Sequence, residues 1–376
     1  MSAADTASPA VSAASTAPRF HELRIARVQP EAGESVAITL SVPPELREAF
    51  AFEPGQFLTV RASIGGQDVR RSYSISSPRS LYHERGELTL GIRAVEGGVF
   101  SNWAAQELRP GMALQVMPPD GRFTVQRPRA LHRVGFAAGS GITPILSILH
   151  STLDESPLAK FTLVYGNRRM GSVMFNETLQ DLKDRYRDRL TLVHVLSRQA
   201  QEVPLLEGRI DGDKVRSLLG TLLPVASLDE VFICGPEAMI DATETALREA
   251  GVKPERIHTE RFSSGTAPVP ARPRREAHAA DGIGSVALTV LLDGKAHELR
   301  MERDERVLDV ALDAGLDLPW SCRGGVCCTC RAKVMEGAVE MEKNFTLEPW
   351  EAAQGFVLSC QARPTTDRVV VSFDER

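Results

Sequence analysis

The sequence lacks any continuous apolar stretch approaching the roughly 20 residues that a membrane-crossing helix requires, so a soluble chain is expected. It also lacks a basic excess. Its 44 Lys and Arg stand against 49 Asp and Glu, for a formal net charge of -5. No global positive field is available to hold a phosphate backbone, and nucleic-acid binding is disfavoured. Met1–Pro18 is mostly Ala, Ser, Thr and Pro, without the basic start and apolar core of a secretory signal. Residues 1–19 therefore read as a disordered tail. No internal repeat is present. Cysteine is scarce, with six in 376 residues, and four of them (Cys322, Cys327, Cys328, Cys330) fall within nine positions. Such crowding excludes the scattered pairs of a secreted disulfide scaffold and points to a metal and a reducing cytoplasm.

What is present is length for two or three cores. Residues 20–127 carry short β-branched or alternating runs such as Val36–Leu40, Phe57–Val60 and Glu87–Ile92, punctuated by Gly and Pro. This pattern predicts an antiparallel β-barrel. Over 128–262 apolar strands (Arg133–Ala137, Phe161–Tyr165, Leu190–Leu196, Glu230–Cys234) alternate with helical stretches. That alternation predicts a doubly wound α/β domain with a parallel sheet. Residues 263–283, with Ser, Gly, Pro and a basic Arg272–Arg275 step, read as a linker. Residues 284–376 read as a small α+β unit with a helix near Val307–Ala314.

The most specific motif is Cys322-Arg-Gly-Gly-Val-Cys327-Cys-Thr-Cys330, a C-x4-C-x2-C spacing, with Cys360 as a distant fourth thiolate. This spacing fits a plant-type [2Fe–2S] cluster, and Gly324 and Gly325 let backbone N–H groups turn toward its sulfur atoms. Zinc is the alternative, although zinc ribbons more often use two C-x2-C pairs. Cys328 sits between two ligands and is read as a non-ligand, and Trp320 as packing and not an electron relay.

Three further segments have the chemistry of nucleotide sites. Arg71-Ser-Tyr73-Ser74 ends an extended run; an arginine pairs with pyrophosphate, a tyrosine covers a ring face and a serine hydrogen-bonds at its edge. Gly97-Gly98-Val-Phe100-Ser101 places a helix start behind a glycine pair, where N–H groups and the dipole favour phosphate. Gly139-Ser-Gly141-Ile-Thr143-Pro144 joins a strand to a helix expected to begin near Ile145, again a phosphate-binding geometry. Arg168 and Arg169 after one strand, and Cys234-Gly235-Pro236 at the end of another, lie where ligands of open α/β sheets gather. The paired arginines suit the ribose phosphate that separates NADPH from NADH, or plain solvent. Cys234 reads as a buried strand-end thiol with no nucleophilic role.

In this order the motifs RSYS, GGVFS, GSGITP, YGNR, CGP and the cysteine loop resemble the ferredoxin–NADP reductase superfamily fused to a C-terminal plant-type ferredoxin. LPWSCRGGVCCTCRAKVMEGAVEM and GFVLSCQARPTTDRVVVSFD resemble the reductase subunits of phenylacetyl-CoA epoxidases. The resemblance implies an FAD barrel, a nicotinamide-nucleotide domain and a β-grasp ferredoxin-like domain. It implies that Arg71, Tyr73 and Ser74 bind FAD, with Gly98, Phe100 and Ser101 near its pyrophosphate. Thr143 then lies close to the flavin and nicotinamide, and Gly139, Gly141, Cys234, Gly235 and Pro236 line the nucleotide site. Phe262 falls where the family places an aromatic near flavin.

The implied activity is transfer of hydride from NADPH, or NADH, to FAD and of single electrons to a cluster held by Cys322, Cys327, Cys330 and Cys360. Hydride transfer at the flavin needs no catalytic side-chain pair, and the implied partner is a separate di-iron oxygenase that epoxidises phenylacetyl-CoA. The rivals are a reductase for a Rieske dioxygenase or steroid hydroxylase, and a nucleotide-binding Fe–S redox sensor. Glu336, Glu340, Glu342 and Glu348 are expected either to form an acidic docking face or simply to be solvated.

Overall fold

The structure, a computed structural model, describes residues 19–262 and 285–375; the expected tail before Arg19 and the linker with its Arg272–Arg275 step lie outside the described residues. Contacts group the chain into two compact units. One comprises the described part of Arg19–Pro270 with Trp320–Thr329, the other that of Ala271–Pro319 with Cys330–Arg376.

The first unit opens with β1 (His21–Glu31), β2 (Ser35–Ser41), β3 (Phe57–Ile64), β4 (Gln67–Ser74), β5 (Glu87–Arg93) and β6 (Ala113–Val116). They pair in the order β4-β3-β6-β1-β2-β5, antiparallel where registers run. An antiparallel bridge between Ile75 and Leu90 joins the two edges, so the expected barrel forms. Its interior is filled by Leu23, Ile25, Ile38, Leu40, Leu58, Leu88 and Leu90, which are the alternating inward positions of these strands. Two short helices ride on it, α1 (Arg79–Arg85), ended by Gly86 at φ 69°, and α2 (Val99–Glu107), begun by Gly98.

The same unit continues with β7 (His132–Ala138), α3 (Ile142–Glu155), β8 (Lys160–Asn167), α4 (Asn176–Arg185), β9 (Leu190–Leu196), α5 (Gly212–Thr221), β10 (Glu230–Gly235), α6 (Glu237–Glu249) and β11 (Ile257–Arg261). All four strand pairings are parallel, in the order β11-β10-β7-β8-β9. The run β7-α3-β8 winds one way and β9-α5-β10 returns to the other side of β7. The switch point therefore lies between the carboxyl ends of β7 and β10. At the opposite end of these strands the buried Arg133–Glu230 pair (3.0 Å) binds them together, and Glu230 also accepts the Gln126 and Arg127 N–H groups.

The second unit contains β12 (Val286–Leu292), β13 (Lys295–Met301), α7 (Val307–Asp313), β14 (Arg331–Glu336), β15 (Val339–Met341), α8 (Pro349–Ala353), β16 (Phe356–Leu358), β17 (Ala362–Pro364) and β18 (Arg368–Ser372). A mixed sheet of order β13-β12-β18-β14-β16 packs against α7, as a β-grasp unit should. The helix expected near Val307 is present; α8 was not foreseen, because five residues are too short for a periodic signal. Two of the four glutamates expected at a docking or solvated face are ion-paired within the unit. Glu336 pairs with Arg368, Glu342 with Arg306 and Arg363, and Glu348 caps its own helix.

Candidate active site

The switch point is built by backbone contact. A Cβ on Gly141 would stand 2.1 Å from the Cys234 carbonyl oxygen, so only glycine lets these two loops touch. Gly139 adopts φ 55°, and the fully buried Tyr165 donates its hydroxyl to the Gly139 carbonyl at 2.8 Å. The helix begins at Ile142, three residues before the expected Ile145, after a 3-10 turn over Gly139–Gly141. Pro144 is tolerated in its first turn because the N–H groups there have no helical acceptor. Thr143 is buried, donates its hydroxyl to the Ser140 carbonyl at 3.0 Å, and packs its methyl over Gly91 of the barrel.

Opposite this turn the end of β4 meets β11. Ser74, buried, donates a long 3.4 Å hydrogen bond to the Glu260 carboxyl, whose strand pairs Glu260 with Cys234. Burial raises the Glu260 pKa from its ordinary 4.5 to about 8, against a smaller lowering by Ser74. Burial and the Glu260 charge together push the Cys234 thiol well above its ordinary range, so it stays protonated. This matches a packing cysteine and not a nucleophile.

On β4, Arg71 and Tyr73 flank Ser72, and the Tyr73 ring packs 5.6 Å from Phe100 of α2. Ser101 is the third residue of α2, and its buried hydroxyl accepts the Val95 N–H at 3.4 Å. Within the same unit Ser72 donates to Ser321 at 2.8 Å, and Arg70 and Arg323 lie 4.9 and 4.4 Å from the Trp320 ring centroid. Trp320 is thus a cation-clasped packing residue. Arg168 and Arg169 follow β8 on the exposed surface, while Phe262, 41% exposed, lies just beyond β11. Gly235 and Pro236 close β10 and cap α6.

Of the cysteines, Cys322 and Cys327 come together, and the Cys327 thiol donates toward Cys322. With the Gly324, Val326 and Cys327 N–H groups also facing it, and despite burial, the Cys322 thiol is held below its ordinary range, while its proton-donating partner Cys327 is pushed up; Gly324 N lies 3.3 Å from the Cys322 sulfur. In the other unit, Cys330 and Cys360 are buried on either side of Ser359, whose N–H and hydroxyl both go to the Cys330 carbonyl. Gln361 donates to the Cys360 sulfur at 3.5 Å. Cys328 takes φ 53°, in the left-handed region that few residues other than glycine adopt. Among the described residues no three His, Cys, Asp or Glu side chains gather around a single ion position.

Three family models match the chain: an oxidoreductase FAD-binding domain over 32–125, an oxidoreductase NAD-binding domain over 136–245 and a 2Fe-2S iron-sulfur cluster binding domain over 290–365. The chain is 47% identical over 363 residues to a component of the 1,2-phenylacetyl-CoA epoxidase of Escherichia coli, covering 95% of this chain and 98% of that one. The chain belongs to the ferredoxin reductase family. The reductase is also 36% identical, over 93% of its length and 96% of the relative's, to the ferredoxin reductase component of Rhodococcus rhodochrous 3-ketosteroid-9-alpha-monooxygenase. Its fold is that of phthalate dioxygenase reductase (TM-score 0.57, 21% identity, 94% of this chain and 98% of that one).

This reductase is accordingly an electron-transfer oxidoreductase with FAD-binding, NAD-binding and [2Fe–2S] domains. The cysteine loop fits its group, since N–H groups aimed at Cys322 favour the thiolate that iron requires. The glycine turn likewise fits a dinucleotide, with the Arg93 guanidinium beside it, 2.7 Å from where a Gly139 Cβ would lie. Sequence reasoning missed Arg93, Glu260 and Arg198. Arg198 is brought beside Arg168 by a 2.9 Å hydrogen bond from its N–H to the Arg168 carbonyl. No local motif marks these three; each is placed by a neighbour distant in the sequence. No helix among the described residues is long and apolar enough to cross a membrane.

Proposed function

We propose that this reductase serves a phenylacetyl-CoA epoxidase system in the cytoplasm, passing electrons from NADPH to a separate di-iron oxygenase. The observation that carries this reading is the end-to-end likeness to the Escherichia coli epoxidase component. Its domains run over 20–127, 128–262 and 284–376. Arg71, Tyr73, Ser74, Gly98, Phe100 and Ser101 hold FAD; Gly139, Gly141, Thr143, Cys234, Gly235 and Pro236 line the nicotinamide nucleotide; Arg168 and Arg169 take the ribose phosphate; Phe262 covers the flavin. Cys322, Cys327, Cys330 and Cys360 hold the cluster. When bound, FAD accepts electrons as a hydride pair and releases them one at a time, as a cluster requires.

The chain's own residues supply orientation and a dry seam. Buried Ser74, Thr143 and Cys234 exclude water between the barrel and the parallel sheet. Below about pH 8 the Glu260 carboxyl, which accepts the Ser74 hydroxyl at 3.4 Å, is protonated, so the seam carries no buried negative charge where electrons arrive. The test is anaerobic mixing of purified reductase with NADPH or NADH, then with a phenylacetyl-CoA epoxidase core and substrate. Flavin bleaching, cluster reduction and coupled epoxidation are expected. Reduction without epoxidation, but with turnover of a steroid hydroxylase, would transfer the assignment to the partner of the Rhodococcus relative.

A further inference from the structure

Helix α3 carries Thr143 in its first turn and packs apolar residues on nearly every side; eleven of its fourteen residues are buried. Among them are two serines, Ser147 at 0% and Ser151 at 2% exposure. A buried hydroxyl in an apolar helix costs stability unless it is bonded. Neither serine is spent on its own helix. Ser147 donates to the Ser77 carbonyl at 2.7 Å, and Ser151 accepts the Arg79 N–H at 3.0 Å. One turn further, Asp154 accepts the Ser80 hydroxyl at 2.7 Å, and Glu155 takes the Arg79 guanidinium at 3.0 and 2.5 Å.

Residues 77, 79 and 80 of the barrel are thus each bonded to the same face of α3. They lie just past Ser74, and the segment is tied back to β5 as well: Ser76 N–H donates to the Thr89 carbonyl at 2.8 Å, and Thr89 N–H to the Ser77 hydroxyl at 3.0 Å. Apolar contact holds two surfaces together but is non-directional and resists sliding weakly. Hydrogen bonds at successive turns fix the helix along its own axis. Ser147 is one turn, about 6 Å, from Thr143, so any axial shift there passes to the glycine turn.

We propose that Ser147 and Ser151 are positioning residues that set the gap between the end of the flavin strand β4 and the nicotinamide turn Gly139–Thr143. The proposal rests on the reading of that turn as the nicotinamide site. Its experiment uses full-length, FAD-loaded reductase, wild type against Ser147→Ala, Ser151→Ala, the double variant and Ser151→Thr. Flavin bleaching by NADPH is followed anaerobically in stopped flow, per bound flavin. Misplacement of reacting atoms by about 1 Å costs up to about 100-fold in rate.

The double variant should keep its FAD and its KM for NADPH within about twofold, yet reduce flavin about tenfold more slowly, and Ser151→Thr should recover most of the rate. In Ser151→Ala, hydrogen exchange at the Arg79 amide should accelerate in both the apo and FAD-loaded protein. A double variant that reduces flavin within twofold of wild type overturns the proposal, as does one that loses FAD or its fold, since the seam would then be a stability element only. Failure of NADPH to bleach the wild type would instead overturn the nicotinamide reading, and this proposal with it.

Discussion

Replacing Glu260 by Gln tests the electrostatics of the seam directly. The folded protein holds the carboxyl proton up to about pH 8, whereas an unfolded chain releases it near 4.5. Between those values the folded state binds one proton more than the unfolded state, so stability falls as pH rises through the window and levels above it. The full shift corresponds to at most about 5 kcal/mol, and the slope to about 1.4 kcal/mol per pH unit. The residue keeps some solvent contact although its carboxyl is enclosed by protein, which makes these figures ceilings. From pH 5.5 to 7.5 the loss is up to roughly 2.7 kcal/mol, or about 5–10 °C in Tm for a unit of this size. Glu260→Gln, neutral throughout, should lack that loss and exceed the wild type in stability at pH 8. The assay is thermal release of FAD fluorescence across pH for both proteins. Parallel pH profiles for wild type and variant would refute the buried, protonated Glu260.

Three other perturbations separate the modules. Gly141→Ala places a methyl 2.1 Å from the Cys234 carbonyl oxygen, so it should destabilise the protein by about 1–3 kcal/mol and slow NADPH-dependent flavin bleaching at least tenfold in stopped flow. Cys360→Ser should abolish or weaken cluster absorbance and electron paramagnetic resonance while flavin reduction persists; loss of both would argue against separable modules. Glu230→Ala leaves the Arg133 guanidinium buried and unpaired, and should cost about 3–5 kcal/mol in denaturant melts. Burial raises the Glu230 pKa, but His258, Arg133 and the Gln126 N–H together hold it below the ordinary carboxylate value. Its wild-type stabilisation should therefore be present above about pH 4.5 and be lost below it, as acid unfolding monitored by circular dichroism would record.

The strand runs Val36–Leu40, Leu190–Leu196 and Glu230–Cys234 were legible because period and β-branching are local properties of the chain. So was the cysteine spacing, since an iron–sulfur loop draws three of its thiols from adjacent positions. By itself, then, the sequence determined the order of the FAD-binding, NAD-binding and [2Fe–2S] domains and where the glycine and cysteine loops fall within them. Tertiary structure alone decided which distant groups face one another. Glu260 carries no motif and becomes a protonated carboxyl only because folding buries it on β11 beside β10, a burial that outweighs the lowering by the Ser74 hydroxyl. Arg198 joins Arg168 through the ends of two parallel strands, and Ser147 and Ser151, inconspicuous in an apolar helix, become a seam only against residues some 70 positions away. The acidic run around Glu342 looked free because its arginine partners lie 36 and 21 positions away. Burial and pairing depend on neighbours that folding supplies, and one-dimensional pattern carries no record of them.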